Sequence, residues 1–179
     1  MKLKLLSIFF LSFLFAFCEA PGKGKNNLNL TTVESLDIHR YMGRWFEIAR
    51  LPHYHERGLH SITANYSLAQ DGTISVTNRG YSQNETLKEA RGKAYRPDDL
   101  VPGELKVSFF WIFYGDYLVI ELDTDYQWAL VSAGSGEYLW ILSRTPVMNE
   151  AIYQDILQRA RKRGFDLGEL IVVEQKRVD

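Results

Sequence analysis

Three histidines close together in the chain are the first residues whose types could do chemistry. His53 and His55 alternate within the segment 52–58, and His60 follows shortly after it. Imidazoles at short spacing can ligate zinc or another transition metal. These lack the spacing of a known site and the cysteine or acidic partners that complete one, so we predict no metal site. With Arg57, they are better interpreted as charges that could contact a phosphate or carboxylate group.

Catalytic motifs are missing from the sequence. It contains no glycine-rich phosphate loop, no His-Glu-x-x-His and no Gly-x-Ser-x-Gly. Cys18 is the single cysteine and precedes every predicted strand, so it is unsuited to a folded active site, and an intrachain disulfide is excluded. No serine, histidine and acidic residue can be placed together as a triad. We therefore predict that the protein is not an enzyme.

Composition indicates one globular domain. The chain has 179 residues, of which 46% are hydrophobic and 24% charged, and this is ordinary for a single domain with a core. Its 21 Lys and Arg oppose 22 Asp and Glu, for a net charge of −1. Nucleic-acid-binding domains usually carry a basic face, so we expect no nucleic-acid partner.

The N-terminal segment has the pattern of an export signal. A basic start precedes residues 5–17, in which only two serines are polar. This run has signal-peptide length and is shorter than the roughly 20 apolar residues that span a bilayer. We expect a signal peptide at residues 1–18, a flexible tether at 19–29 and one folded domain at 30–179.

Cys18 lies where a bacterial lipoprotein carries its lipid-modified cysteine. Phe17 departs from the small residue that is usual before such a cysteine. Two fates stay open: Cys18 becomes lipidated and tethers the protein to a membrane, or it is removed with the signal peptide.

Short β-type segments separated by turn residues predict an all-β fold, either a sandwich or a barrel. Asp71-Gly72 is a hairpin signal, and residues 114–116 predict another turn. After Pro146 the pattern changes to an amphipathic helix, with Asn149 as N-cap and Gly164 just past its end. The predicted strands are 43–51, 61–68, 73–81, 89–95, 105–113, 117–122, 127–132 and 138–143, with a short last strand at 170–174.

Three short motifs occur in order along these segments. They are Gly43 with Trp45, then Thr124-Asp125-Tyr126, then Arg144 after the eighth strand. On these motifs, residues 34–175 resemble the lipocalin family, and within it the bacterial outer-membrane lipoproteins, which are similar to apolipoprotein D. The resemblance implies an eight-stranded antiparallel up-and-down β-barrel with one C-terminal α-helix packed outside and a short last strand.

The resemblance also implies structural roles for the motif residues. Trp45 would plug one end of the barrel, and the Arg144 guanidinium would stack on its indole, a cation–π pair worth about 0.5–2 kcal/mol. Gly43 would leave room for the incoming chain, which in the family forms a short 3₁₀ turn. Asp125, between Thr124 and Tyr126, would accept backbone N–H groups at its turn.

Strand alternation, aligned on the family, assigns the barrel's inner face. Small residues there would leave a cavity for a hydrophobic ligand. Glu47 and Glu121 are also assigned inside, where a carboxylate is costly unless paired or protonated; a tyrosine or an inward arginine could satisfy them, or they could hold a ligand's polar head. The predicted lining is Glu47, Ala49, Ala64, Tyr66, Val76, Asn78, Ala94, Val107, Phe109, Tyr117, Val119, Trp128, Leu130, Tyr138 and Trp140.

The resemblance implies the binding, storage or transport of a fatty acid or lysophospholipid in the bacterial outer membrane or periplasm, without a cofactor. Two alternatives stay open. One is a lipid-modifying enzyme on the same barrel. The other is an envelope interaction protein with a filled barrel, in which the apolar residues 109–113 would contact a membrane or a second copy in a homodimer.

Overall fold

The computed structural model describes residues 28–177, in which one antiparallel sheet dominates. The predicted signal peptide, Cys18 and most of the predicted tether lie outside the described residues. The strands are β1 (Gly43–Arg50), β2 (Leu59–Leu68), β3 (Ile74–Ser82), β4 (Leu87–Tyr95), β5 (Glu104–Phe110), β6 (Phe113–Leu122), β7 (Trp128–Ala133), β8 (Tyr138–Ser143) and β9 (Ile171–Val172). The helices are α1 (Ile38–Tyr41) and α2 (Glu150–Lys162), and a 3₁₀ turn spans Tyr54–Glu56.

Eight of these strands close into an up-and-down barrel, which confirms the predicted fold. Strands β2 to β8 are hydrogen-bonded in sequence order, and β1 follows β8. β1 also pairs with β2, with Gly43 opposite Tyr66, and this pairing closes the ring. β9 lies outside the barrel, where Val172 pairs with Ala49.

The hairpin turns were only partly predictable. Asp71-Gly72 does join β2 to β3, and Gly72 takes a left-handed φ of +82° that glycine adopts readily. The turn predicted at residues 114–116 is wrong. β5 ends at Phe110 and β6 begins at Phe113, so Trp111 and Ile112 form the turn. The turn therefore lies within the apolar run of residues 109–113.

Apolar side chains pack in two layers. One layer fills part of the barrel and includes Trp45 and Val131. The other lies between the barrel and α2, where Ile156 and Ala160 pack on the outer side of the sheet beside Ile141. Strands β1, β7 and β8 are thus covered on both faces, and the sequences of β7 and β8 are accordingly nearly continuously apolar instead of alternating.

The helix α2 has the ends that the sequence predicts. The side chain of Asn149 accepts hydrogen bonds from the backbone N–H groups of Ala151 and Ile152, which would otherwise lack an intrahelical partner. Gly164 follows the helix with φ +94°. Within residues 28–177, neither helix is long and apolar enough to cross a membrane.

Candidate ligand-binding cavity

One end of the barrel is closed by a tryptophan–arginine stack. The Arg144 guanidinium lies 3.7 Å from the centre of the Trp45 indole, as the sequence predicts. Arg144 also donates to the backbone carbonyl oxygens of Arg40, Tyr41, Arg44 and Tyr126. One side chain thus binds α1, the start of β1 and the β6–β7 turn into a plug.

Gly43 is required at this plug. Its φ is +94°, and a Cβ atom at this position would lie 3.4 Å from Nη1 of Arg144. The preceding segment is one turn of α-helix instead of the expected 3₁₀ turn, with Asp37 as its N-cap. The 3.4 Å distance is an ordinary van der Waals contact, so it is the positive φ that favours glycine at this position.

The Thr-Asp-Tyr turn fastens the same end. The Tyr126 hydroxyl accepts a hydrogen bond of 2.8 Å from the Asp37 backbone N–H, and the Thr124 carbonyl accepts one from Arg40. The carboxylate that accepts the backbone N–H groups of Asp125 and Gln127 belongs to Asp123. The acceptor role expected for Asp125 is therefore wrong, because the side chain of Asp123, two positions earlier, accepts these hydrogen bonds.

A cavity opens inside the barrel above this plug. Its volume is about 120 Å³. This is smaller than the roughly 300–1,000 Å³ of a typical small-molecule site, so side chains of the wall must move to admit a ligand of that size. Its wall consists mainly of apolar side chains, with polar groups at both ends. The lining residues are Glu47, Glu56, Ile62, Thr63, Ala64, Tyr66, Val76, Asn78, Val107, Phe109, Asp116, Tyr117, Val131, Trp140 and Leu142.

Phenol hydroxyl groups form the floor of the cavity. The Tyr117 hydroxyl lies 2.7 Å from that of Tyr41 and 3.1 Å from that of Tyr66. Burial raises the pKa of Tyr66 to about 12 and the pKa values of Tyr41 and Tyr117 well above the ordinary value. The floor is therefore a neutral hydrogen-bonded group.

The mouth carries a charged network that is largely buried. β1 begins at the plug, so its last residue, Arg50, lies at the opposite end of the barrel. Arg50 donates to the Glu47 carboxylate at 2.8 Å and to the Glu56 carbonyl at 2.7 Å. Nε2 of His53 lies 2.8 Å from the Glu56 carboxylate, and the Trp140 indole N–H donates to the same oxygen at 3.3 Å. The loop before β2 is thereby fixed to the inner wall.

The two glutamates of this network respond to their surroundings in opposite directions. Burial, and then the charge of Glu56, raises the pKa of Glu47 well above its ordinary value against the lowering effect of Arg50. Burial also raises the pKa of Glu56, but His53, Arg50 and Trp140 together lower it below the ordinary value. As pH falls, Glu47 therefore takes up a proton before Glu56, which keeps its negative charge.

Comparison with known proteins agrees with this geometry. A family model for a lipocalin-like domain matches residues 36–175, most of the chain. The chain belongs to the lipocalin family.

Individual lipocalins show how far the similarity extends. Outer membrane lipoprotein Blc of Vibrio cholerae is 48% identical over 146 residues, 80% of this chain and 85% of that protein. Apolipoprotein D of Mus musculus is 29% identical over 153 residues, 79% of this chain and 78% of its own. The solved structure of insecticyanin from the tobacco hornworm Manduca sexta superposes with a TM-score of 0.68 at 19% identity, covering 82% of this chain and 84% of that one. This last likeness shows the shared fold.

Most of the predicted lining residues border the lipocalin cavity. Ala94 and Val119 also face the interior, but they belong to its packed part. Tyr138 stacks on Trp140 with ring centres 5.6 Å apart, away from the cavity wall. Contact of any of these residues with a ligand stays a prediction. The predicted residues on the wall are Glu47, Ala64, Tyr66, Val76, Asn78, Val107, Phe109, Tyr117 and Trp140.

Four residues assigned to the inner face lie outside it. Ala49, Trp128 and Leu130 belong to the layer under α2, and Glu121 forms ion pairs with α2 and the residue that caps it. Irregularities between Glu47 and Ala49 in β1, and before Glu121 in β6, shift the alternation by one residue. In β7 both faces are apolar, so the prediction had no polar face to guide it.

Sequence reasoning missed the polar mouth. Arg50 is an inward arginine of the kind expected to satisfy Glu47, but alternation hides it because it follows the β1 irregularity. His53 was interpreted as a charge that could contact a phosphate or carboxylate group, and Glu56 was not singled out, whereas the structure places both against Trp140. The available signal was the dense His, Glu and Arg content of residues 52–58. That composition does not show whether the side chains face the barrel interior or the solvent.

Proposed function

We propose that this lipocalin binds a single-chain lipid, a fatty acid or a lysophospholipid, and stores or carries it in the bacterial cell envelope. The observation that carries the proposal is an apolar-walled cavity with a charged network at its mouth. Each buried methylene contributes about 0.8 kcal/mol, so about ten of them supply roughly 8 kcal/mol, the equivalent of micromolar binding before the entropy cost of association. The Glu47–Arg50–Glu56 network lies where the lipid's polar head would sit.

The envelope location rests on two supports. The Vibrio cholerae relative is named an outer membrane lipoprotein, and Cys18 follows a run of signal-peptide type. We infer that the chain is exported and anchored to the outer membrane by a lipid on Cys18.

We also infer that binding, and not catalysis, is the role of the cavity. Each carboxylate on its wall has a cationic or histidine partner: Glu47 has Arg50, Glu56 has His53, and Asp116 has Lys106. A general acid or base needs a free position within hydrogen-bond reach of its substrate. The network instead stabilises the wall and the loop.

Native mass spectrometry with matched variants tests the proposal. The exported protein with Cys18→Ser, which removes the acceptor for lipid modification, is incubated with palmitic acid, a lysophosphatidylethanolamine and a diacyl phosphatidylethanolamine. Ala64→Phe places a ring in the cavity, whereas Asn65→Phe places the same ring on the outer face of β2. We expect one-to-one adducts with the single-chain lipids, weakened about tenfold or more only by Ala64→Phe. Equal binding by both variants, or no specific adduct, would contradict the proposal.

A further inference from the structure

The β5–β6 hairpin ends in a tip of four large apolar side chains in water. Phe110, Trp111, Ile112 and Phe113 are 74%, 80%, 66% and 69% exposed. Single exposed apolar residues are ordinary, but a contiguous patch marks a surface that something covers. Trp111 also holds a φ of +52°, an uncommon conformation for a bulky residue. A positive φ is usual in a two-residue hairpin turn such as this one between Phe110 and Phe113, but glycine or asparagine is the ordinary residue there.

The tip is continuous with the mouth of the cavity. Phe110 pairs with Phe113 across the hairpin, and their rings stack with centres 6.5 Å apart. Phe109, directly before the tip, lines the cavity. An apolar path therefore runs from the exposed tip to the interior.

The described chain begins at this same end of the barrel. A Cβ atom on Gly136, in the β7–β8 turn, would lie 2.5 Å from Leu28. β7 starts at the plug, so its last residues and this turn lie at the mouth. From Leu28 the chain runs toward the plug, since the Val33 N–H donates to the Val119 carbonyl. Leu28, the first described residue, thus lies beside the mouth.

We propose that the hairpin tip docks on a lipid bilayer, with the mouth of the cavity facing the lipid. Tryptophan and phenylalanine are side chains that enter the membrane interface. Nine residues lie between Cys18 and Leu28, and the ten steps from one to the other can extend at most about 35 Å, so a lipid on Cys18 would hold the mouth close to the same leaflet. The orientation rests on the proposed anchor, whereas the docking of the tip does not.

Charge beside the tip agrees with a bilayer partner. Lys93 on β4 is exposed and pairs in register with Ser108 of β5. Its ammonium group lies 5.7 Å from the centre of the Tyr114 ring. A cation at the base of an apolar tip suits the phosphate layer of a membrane that contains anionic lipid.

The test uses the exported protein with Cys18→Ser and vesicles of phosphatidylcholine, alone or mixed with phosphatidylglycerol. Trp111 is the exposed tryptophan, so its emission reports on the tip, and lipids brominated on their acyl chains quench it if it enters the bilayer. The Phe110→Ser/Phe113→Ser variant removes the apolar tip. Its matched control, Leu100→Ser/Val147→Ser, removes two side chains that are 89% and 79% exposed on loops at the plugged end.

We expect vesicle binding with quenching of Trp111, a stronger response with anionic lipid, and a loss of affinity of about a hundredfold only in the Phe110→Ser/Phe113→Ser variant. Unaltered vesicle binding by that variant would overturn the proposal. So would a concentration-dependent dimer mass, lost in the same variant, without vesicle binding, because the tip would then be a contact between copies. Lipid capture in the cavity, measured in solution, stays intact in this variant, which separates this proposal from the proposed function.

Discussion

Replacing Arg144 tests how the barrel is closed. Arg144→Ala removes the guanidinium that stacks on Trp45 at 3.7 Å and donates to four backbone carbonyl oxygens. Arg144→Lys keeps the positive charge but loses the planar fork that reaches several acceptors at once. The pair of variants therefore separates charge from geometry.

The expected loss follows from these contacts. The cation–π stack contributes about 0.5–2 kcal/mol. The two shortest hydrogen bonds, 2.7 Å to Arg40 and 2.8 Å to Arg44, are charge-assisted and contribute about 1–2 kcal/mol each after allowance for partial exposure. Because these contributions are not additive, we expect Arg144→Ala to lower the free energy of unfolding by about 3 kcal/mol, and Arg144→Lys by about half as much.

Urea unfolding followed by circular dichroism measures this loss. With a slope of about 1–3 kcal/mol per molar urea, the midpoint of Arg144→Ala should fall by about 1–3 M. Arg91→Ala is the matched control, since Arg91 is 78% exposed and its ion pair within residues 28–177 is with Glu89, and surface pairs contribute about 0–1 kcal/mol. If both alanine variants shift the midpoint equally, Arg144 does not close the barrel and the reasoning fails.

Three further predictions follow from the same structure. Because the pKa of Glu47 is raised in the fold, its charged form destabilises the native state increasingly as pH rises above about 4.3. In urea titrations, the free energy of unfolding of Glu47→Gln should therefore rise relative to that of the wild type as pH rises. A pH-independent difference would contradict this. A Cβ atom on Gly92 would lie 2.5 Å from the Ser108 carbonyl oxygen, whereas one on Gly115 meets nothing within 4 Å; Gly92→Ala should cost about 1–3 kcal/mol in chemical unfolding and Gly115→Ala almost nothing, and equal losses would be the refuting result. Asn149→Ala should cost about 1 kcal/mol through loss of the α2 cap, visible as a lowered melting temperature, and an unchanged value would show that the cap is dispensable.

The fold was largely predictable because local and long-range signals agree. Period-two hydrophobicity and turn residues indicate the strands, and Asn149 and Gly164 mark the ends of the helix. The Trp45–Arg144 stack was also predictable, since two aligned motifs place both residues at one end of a barrel. The β5–β6 turn was not, because Trp111 and Ile112 carry none of the usual turn chemistry.

The cavity was less predictable than the fold because alternation fails where a strand is irregular or covered on both faces. In β1 the irregularity places Ala49 outside. Strand alternation, aligned on the family, assigned Trp128 of β7 to the interior, but it packs under α2. The contact between Arg50 and Glu56 depends on how the loop after β1 folds, which the sequence pattern does not show. Single-residue shifts of register leave no mark on average hydrophobicity, and they decide what lines the cavity.

Quenching by a brominated fatty acid tests most directly whether lipid binds inside the barrel. Trp140 lines the cavity, whereas Trp128 packs outside it under α2. In a Trp111→Phe background and below the micelle concentration, the bound lipid should quench tryptophan emission. We predict that Trp140→Phe removes most of the quenching and that Trp128→Phe leaves it intact. Quenching that is lost with Trp128 and kept without Trp140 would place the lipid outside the barrel and contradict the account.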